Sequence, residues 1–291
     1  MSSIAQALRR DQDYHRTMPE LPEVEIVRRT LLRQVAGRRL GEIHVRTARL
    51  RAPVQARALR RALPGRRILG IRRRGKYLLF DLEGGSVLLL HLGMSGRLTV
   101  VGTRRRLEDH DHVLFSLDRG QQIRFNDPRR FGLVDLVPAG GETDHPRLRH
   151  LGIEPLGDRF QAPCLWRAAR GRRRPVKTFL MDATEVAGIG NIYASEALHH
   201  AGVHPMRAVG RLSLPRWEHL IAAVRTVLTA AIEGGGTTLS DFRDARGRAG
   251  AFSGKLQVYG REGQSCQRCR GRVRQIVQAG RSTFYCPVCQ R

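Results

Sequence analysis

Apolar positions Val24, Val27, Leu31, Leu32 and Val35 recur at helical spacing after Pro22 and stop before Gly37. Beyond residue 40 the rhythm shortens. Runs at 43–45, 66–71, 77–82, 87–92, 112–117 and 122–125 predict short strands punctuated by Gly, Pro and Asp, with a short helix at 53–61. Residues 138–160 are rich in Gly, Pro and His and predict a linker. Helical spacing then returns at 165–169, 177–187, 192–201 and 215–232, with Asn191 placed to cap the third segment and Gly202 to end it. The last segment has the clearest stripe: Trp217, Leu220, Ile221, Val224, Val227, Leu228 and Ala231, stopped by Gly234-Gly235-Gly236. Residues 237–258 predict a loop and a short extended stretch. A leading helix, many short strands and then several helices predict an α+β multidomain chain whose first domain is a β-sandwich or barrel.

Composition adds a partner class. The 291 residues carry 52 Lys and Arg against 26 Asp and Glu, a formal charge of +26. Such an excess points to a polyanion, above all nucleic acid, although an Arg-rich solvated surface gives the same count. All but Lys76, Lys177 and Lys255 of those cations are Arg. Arg holds phosphates but does not readily give up a proton, so the three lysines draw attention as proton carriers. No apolar run is long enough to span a membrane, and residues 1–17 lack the apolar core of a secretory signal, so a cytoplasmic chain is expected.

Four of the five cysteines form two CxxC pairs, Cys266/Cys269 and Cys286/Cys289. Each pair presents two thiolates to one ion, and the sixteen residues between them suit a β-hairpin turning at Ala279-Gly280. A closed four-thiolate set predicts one structural Zn2+. Cys164 stands apart and is expected to be a small buried apolar residue.

Other stretches allow two readings each. Pro19-Glu20-Leu21-Pro22-Glu23-Val24-Glu25 follows Met18. It suits a helix start, with Pro early and acids near the positive end. It equally suits a catalytic terminus: a chain beginning at Pro19 would expose a secondary amine able to attack an aldehyde-like carbon. Asn126-Asp127-Pro128-Arg129-Arg130-Phe131-Gly132 is either a turn with a core Phe or a loop that wedges a duplex. Met94, in the segment 91–96, is either core or a second wedge. The two-glycine turn at 186–191 is either a helix corner or a phosphate cradle. Lys76 follows a basic strand end that is either a solvated face or the wall of a cleft.

In this order and together, the motifs resemble formamidopyrimidine-DNA glycosylase, a bacterial family. The likeness runs from Met18 to Arg291 and rests on PELPEVE at 19–25, RRGKYL at 73–78, HLGMSG at 91–96, DHDHV at 109–113, DPRRFG at 127–132, KTFLMD at 177–182, GIGNIYASEAL at 188–198, GGTTLSDF at 235–242, LQVYGREG at 256–263 and the terminal TFYCPVCQ. The resemblance implies an N-terminal β-sandwich with a leading helix (19–137), a linker (138–160), a helix–two-turn–helix domain (161–256) and a zinc finger (257–291). It implies a monomer acting on double-stranded DNA that contains oxidised purines. Catalysis would fall to Pro19 as nucleophile, Glu20 as general acid and base, Glu23 as a second carboxylate, Lys76 in proton transfer and Arg281 at a phosphate. Met94, Arg129 and Phe131 would fill the space left by a flipped base. His110, Arg173, Lys177 and Asn191 would join Arg129 on the DNA. Arg173 stands where a lysine is usual, an exchange a phosphate contact tolerates. Residues 244–252 would form the loop over the lesion, and their sequence is less alike than the flanks.

Leu21 and Met94 argue against the sister enzyme endonuclease VIII, which removes oxidised pyrimidines. A non-catalytic binder of damaged DNA is the other alternative, since an amide at Pro19 has no nucleophilic lone pair. A regulator reading a specific DNA sequence lacks a recognition helix. The active chain is therefore expected to begin at Pro19, with residues 1–18 absent.

Overall fold

The structure is a computed structural model describing residues 18–237, 250 and 252–291. The expected extension, 1–18, lies outside the described residues apart from Met18, as does the expected lesion loop apart from Gly250 and Phe252. The chain divides into two compact units, 1–149 with 235–251, and 150–234 with 252–291. Residues 138–149 thus go with the first unit and 150–160 with the second.

The first unit opens with helix α1 (Leu21–Val35). Two four-stranded antiparallel sheets follow, ordered β1-β6-β7-β5 and β2-β3-β4-β8. Their strands are β1 (Leu40–Val45), β2 (Ile68–Arg74), β3 (Tyr77–Leu82), β4 (Val87–His91), β5 (Arg97–Gly102), β6 (Asp111–Leu117), β7 (Gln121–Asn126) and β8 (Leu133–Val137). A short helix, α2 (Ala56–Ala62), lies between β1 and β2. Val24, Val27, Leu31 and Val35 from α1 enter one core with Leu78, Phe80, Leu88 and Leu90 of one sheet and Phe115, Ile123 and Phe125 of the other. Both sheets bury one apolar face in that core, which makes the unit a β-sandwich with a helix packed on it.

The second unit contains α3 (Ala162–Ala169), α4 (Val176–Met181), α5 (Asn191–His200), α6 (Leu214–Glu233) and the hairpin β9 (Arg274–Gln278) and β10 (Arg281–Tyr285). The apolar stripe of α6 is buried along its length, and Trp217 meets Phe179 of α4 edge-on at 5.8 Å. Helix α5 is buried on nearly every side, so its polar residues need internal partners. Glu196 supplies one answer. Its carboxylate accepts the backbone N–H groups of Gln257 (2.8 Å), Val258 (3.0 Å) and Tyr259 (2.8 Å). Burial pushes this acid above its ordinary range against the opposing pull of those donors.

Several expectations need correction. Strand β2 runs on to Arg74, so Gly75 and Lys76 form a two-residue hairpin turn with Arg74 opposite Tyr77. The edge strands β5 and β8 extend the expected set. Helix α4 stops at Met181 because the Asp182 carboxylate takes the N–H and hydroxyl of Thr184 and closes a turn. Cys164 is exposed: α3 turns Ala162, Leu165 and Ala169 inward and leaves position 164 on the other face. Among the described residues no helix is long and apolar enough to cross a membrane.

Replacing Glu196 by Ala leaves three amides, those of Val258 and Tyr259 buried, without their acceptor. The substitution is expected to lower the unfolding free energy by about 3 kcal/mol, read by denaturant titration of Trp fluorescence.

Candidate active site and nucleic-acid interface

Helix α1 begins with a reciprocal cap built from two glutamates. Glu20 is the N-cap residue, and its side chain accepts the backbone N–H of Glu23. The Glu23 carboxylate returns the contact, taking the Glu20 N–H at 3.0 Å. A capping box with Glu at the cap is unusual, since Ser, Thr, Asp and Asn dominate there. The helix-start reading holds, and the cap that starts the helix also fixes the side chain of Glu20, which follows Pro19 in the chain. The second oxygen of Glu23 accepts the Thr237 N–H at 2.8 Å. Glu23 thereby joins the helix start to the residue at which the 238–249 segment begins.

Glu25 lies two residues further along α1 and is clasped by Arg28 (2.7 Å), Arg29 (2.8 Å) and Arg73 (3.2 Å). Burial raises its acid, but hydrogen bonds from Arg28 and Arg29 and the charges of Arg28 and Arg73 outweigh that and hold it below the usual range. Arg73 also donates to the Gly75 carbonyl at 2.9 Å. A chain of contacts therefore runs from α1 through Glu25 and Arg73 to the turn that carries Lys76. Gly75 has φ +55°, which suits glycine in this tight turn.

The wedge candidates and the DNA-contact candidate His110 sit on three loops of the same unit, and Asp127 joins all three. Its carboxylate is fully buried. One oxygen accepts the Ser95 hydroxyl at 2.6 Å, and the other accepts the Gly132 N–H at 2.7 Å. Its own N–H donates to the His110 carbonyl at 3.1 Å, and its carbonyl meets His112 Nε2 at 2.9 Å. Ser95 Oγ in turn accepts the Arg129 N–H at 3.1 Å. The loops bearing Met94, His110 and Arg129 with Phe131 are therefore one hydrogen-bonded assembly. Gly93 (φ +65°) permits their approach, because a Cβ there would run into the backbone of Phe131 and Gly132.

The side chains that this assembly presents are open to solvent or half-buried. Phe131 is 46% exposed, so the core-Phe reading is set aside, and the Arg129 guanidinium lies 5.0 Å from its ring centre. His110 and Arg129 are exposed, and Met94 is half-buried. His91 shapes the Met94 turn by accepting the Gly93 N–H on Nδ1 at 2.9 Å. Burial and the nearby cations Arg51, Lys76 and Arg147 push His91 down to about 3, so it stays neutral and keeps that lone pair.

In the second unit Lys177, expected among the DNA contacts, is buried. Its ammonium donates to Asn191 Oδ1 (2.5 Å), Thr283 Oγ1 (2.6 Å) and the Ser282 carbonyl (3.4 Å). Asn191 donates to the same Ser282 carbonyl at 2.9 Å. The expected cap is instead Gly190; Asn191 is the first residue of α5, and its side chain is spent on the hairpin. Lys177 and Asn191 fasten the hairpin to the helices. Arg281, the first residue of β10, and Arg173 are exposed. The turn before Arg281 uses Ala279 (φ +49°) and Gly280 (φ +71°), the left-handed pair of a tight hairpin.

The four cysteine sulfurs lie within 4.8 Å of one another. Cys266 and Cys289 are 3.9 Å apart, and Cys269 and Cys286 are 3.5 Å apart. A tetrahedral zinc with bonds of about 2.3 Å needs sulfurs about 3.8 Å apart, so this set fits one Zn2+ with no open position. Sequence reasoning missed Asp127 and Glu196, whose motifs were seen but whose partners lie far along the chain.

Three families match in chain order: formamidopyrimidine-DNA glycosylase N-terminal domain at 18–134, formamidopyrimidine-DNA glycosylase H2TH domain at 151–243, and the zinc finger found in FPG and IleRS at 263–291. A formamidopyrimidine-DNA glycosylase of Halorhodospira halophila is 51% identical over 274 residues, covering 94% of this chain and all of the relative. A mutant FPG of Lactococcus lactis, in complex with a Fapy-dG containing DNA, superposes with a TM-score of 0.87 at 32% identity, over 94% of this chain and 100% of that one. Lactococcus lactis Fpg in complex with an abasic site containing DNA gives 0.85 at 33% identity, over 94% and 99%. With all three domains matched in order and half the residues shared with a full-length relative, the chain belongs to the formamidopyrimidine-DNA glycosylase family.

Proposed function

We propose that this protein is a base-excision repair enzyme that removes oxidised purines from duplex DNA and then cuts the strand at the abasic site. The observation that supports the reading most is the reciprocal glutamate cap of Glu20 and Glu23, which holds the carboxylate of the residue that follows Pro19 in the chain. The Pro19 nitrogen attacks C1′ of the damaged nucleoside, the N-glycosidic bond breaks, and the base leaves with a proton. Glu20 gives a proton to the ring oxygen O4′, the C1′–O4′ bond breaks, and the opened sugar is left as an iminium on the Pro19 nitrogen. The iminium so formed draws electrons from C2′, and loss of the 2′ proton expels the 3′ phosphate; a second elimination expels the 5′ phosphate. Lys76 serves as a proton carrier and Arg281 as a phosphate ligand in this scheme. Duplex DNA supplies the polyanion that the +26 charge calls for. The target nucleotide must leave the stack to reach Pro19, and the Asp127 assembly presents Met94, Arg129 and Phe131 to fill the vacated space. Zinc, where bound, braces the hairpin and takes no part in the chemistry.

The scheme requires a free amine. Protein beginning at Pro19 is expected to form a borohydride-trapped crosslink with DNA containing 8-oxoguanine. Protein with residues 1–18 verified intact is expected to form none, and efficient trapping by that form would overturn the proline's role.

Paired with cytosine, 8-oxoguanine is expected to be cut far faster than thymine glycol in side-by-side single-turnover assays. The reverse order would move the reading to the pyrimidine enzyme.

Asp127→Ala is expected to slow excision from duplex roughly 100-fold by loosening the wedge loops, while trapping on a single-stranded abasic site, which needs no wedge, stays near the unsubstituted level. Equal losses on both substrates would remove the wedge role.

A further inference from the structure

Helix α5 meets the cysteine module with three polar side chains. Asn191 binds the Ser282 carbonyl, Glu196 binds the amides of residues 257–259, and His199, the penultimate residue of the helix, reaches a cysteine. The His199 ring is buried, and its Nε2 lies 3.4 Å from Cys266 Sγ. Cys266 is itself buried and belongs to the four-thiolate set. A thiolate bound to zinc carries no proton and can only accept, so in the loaded protein the hydrogen of this contact must sit on His199 Nε2.

We propose that His199 is a positioning residue for the metal centre, donating Nε2–H to the Cys266 thiolate and so lowering that sulfur's donor strength and holding it in the tetrahedral set. A hydrogen bond to a ligating sulfur draws electron density from it. It also fixes the direction in which the sulfur's lone pair points, much as outer partners orient metal-bound imidazoles. The same contact couples α5 to the hairpin that carries Arg281. Nothing in the sequence pattern marks this residue: His199 falls inside a helical run, and only the fold sets it against Cys266.

The inference rests on the zinc reading, and the two are tested separately. Metal analysis of the full-length protein is expected to give about one zinc per chain; a lower value with intact fold would remove the zinc reading first. The coupling is then read in the unsubstituted protein loaded with cadmium-113. Its histidine nitrogen spectrum is expected to show the Nε2–H tautomer at His199, with that proton coupled to the metal through sulfur. A proton on Nδ1 would overturn the proposal without any substitution. His199→Phe fills the space without a donor, and His199→Gln keeps a donor. With cobalt in place of zinc, the sulfur-to-metal charge-transfer band is expected to move to longer wavelength in His199→Phe and to stay near its original position in His199→Gln. Zinc transfer to the chelator 4-(2-pyridylazo)resorcinol is expected to run about tenfold faster in His199→Phe alone. Unchanged band and rate in His199→Phe, or equal changes in both variants, would reduce His199 to packing and overturn the proposal.

Discussion

A buried carboxylate that accepts hydrogen bonds from separate stretches of the chain is the interaction on which the working parts of this protein depend. Asp127 is the fullest case. Loops are costly to hold in one shape because their amides seek partners and their backbones lose entropy on ordering. Two acceptor oxygens, placed where Ser95 and Gly132 converge, meet both demands together. Glu23 repeats the device between the start of α1 and Thr237, and Glu196 repeats it between α5 and residues 257–259. In each case a side chain with low conformational cost after burial replaces a stretch of regular secondary structure.

Much of this was legible from local pattern. The α6 stripe, the tight turn at Ala279-Gly280 and the paired cysteines are short-range signals, and each took the expected form. The edge strands were not legible for a physical reason. Strand β5 buries only Leu98 fully, so its alternation is faint, and β8 is a five-residue run interrupted by Asp135. Asn191 misled because its side chain could satisfy either a helix end or a carbonyl of the hairpin, and the tertiary partner prevailed. Lys177 stood out as a rare cation, but its partners were not legible, because Ser282 and Thr283 lie more than a hundred residues along the chain.

The candidate chemistry was visible as residue types but not as supports. Pro19, Glu20 and Lys76 stood out by kind. That Glu20 is held by a cap, and that Lys76 rides on a turn tied through Arg73 and Glu25 to the same helix, are facts of register between α1 and the β2–β3 hairpin. A one-residue change in that hairpin would move Lys76 to the other face while leaving its local pattern intact.

The link from Glu23 to Thr237 bears on how such an enzyme can diversify. Gly250 packs so closely on Gly235 and Gly236 that a Cβ on it would strike their carbonyl oxygens, so both ends of the intervening segment meet at one pinned stem. With its ends already joined, such a segment can double in length for only about 0.6 kcal/mol of closure entropy. Its composition can also drift without displacing the helix start. The sequence between 237 and 250 can thereby change while the Glu20–Glu23 cap that opens α1 keeps its own contacts.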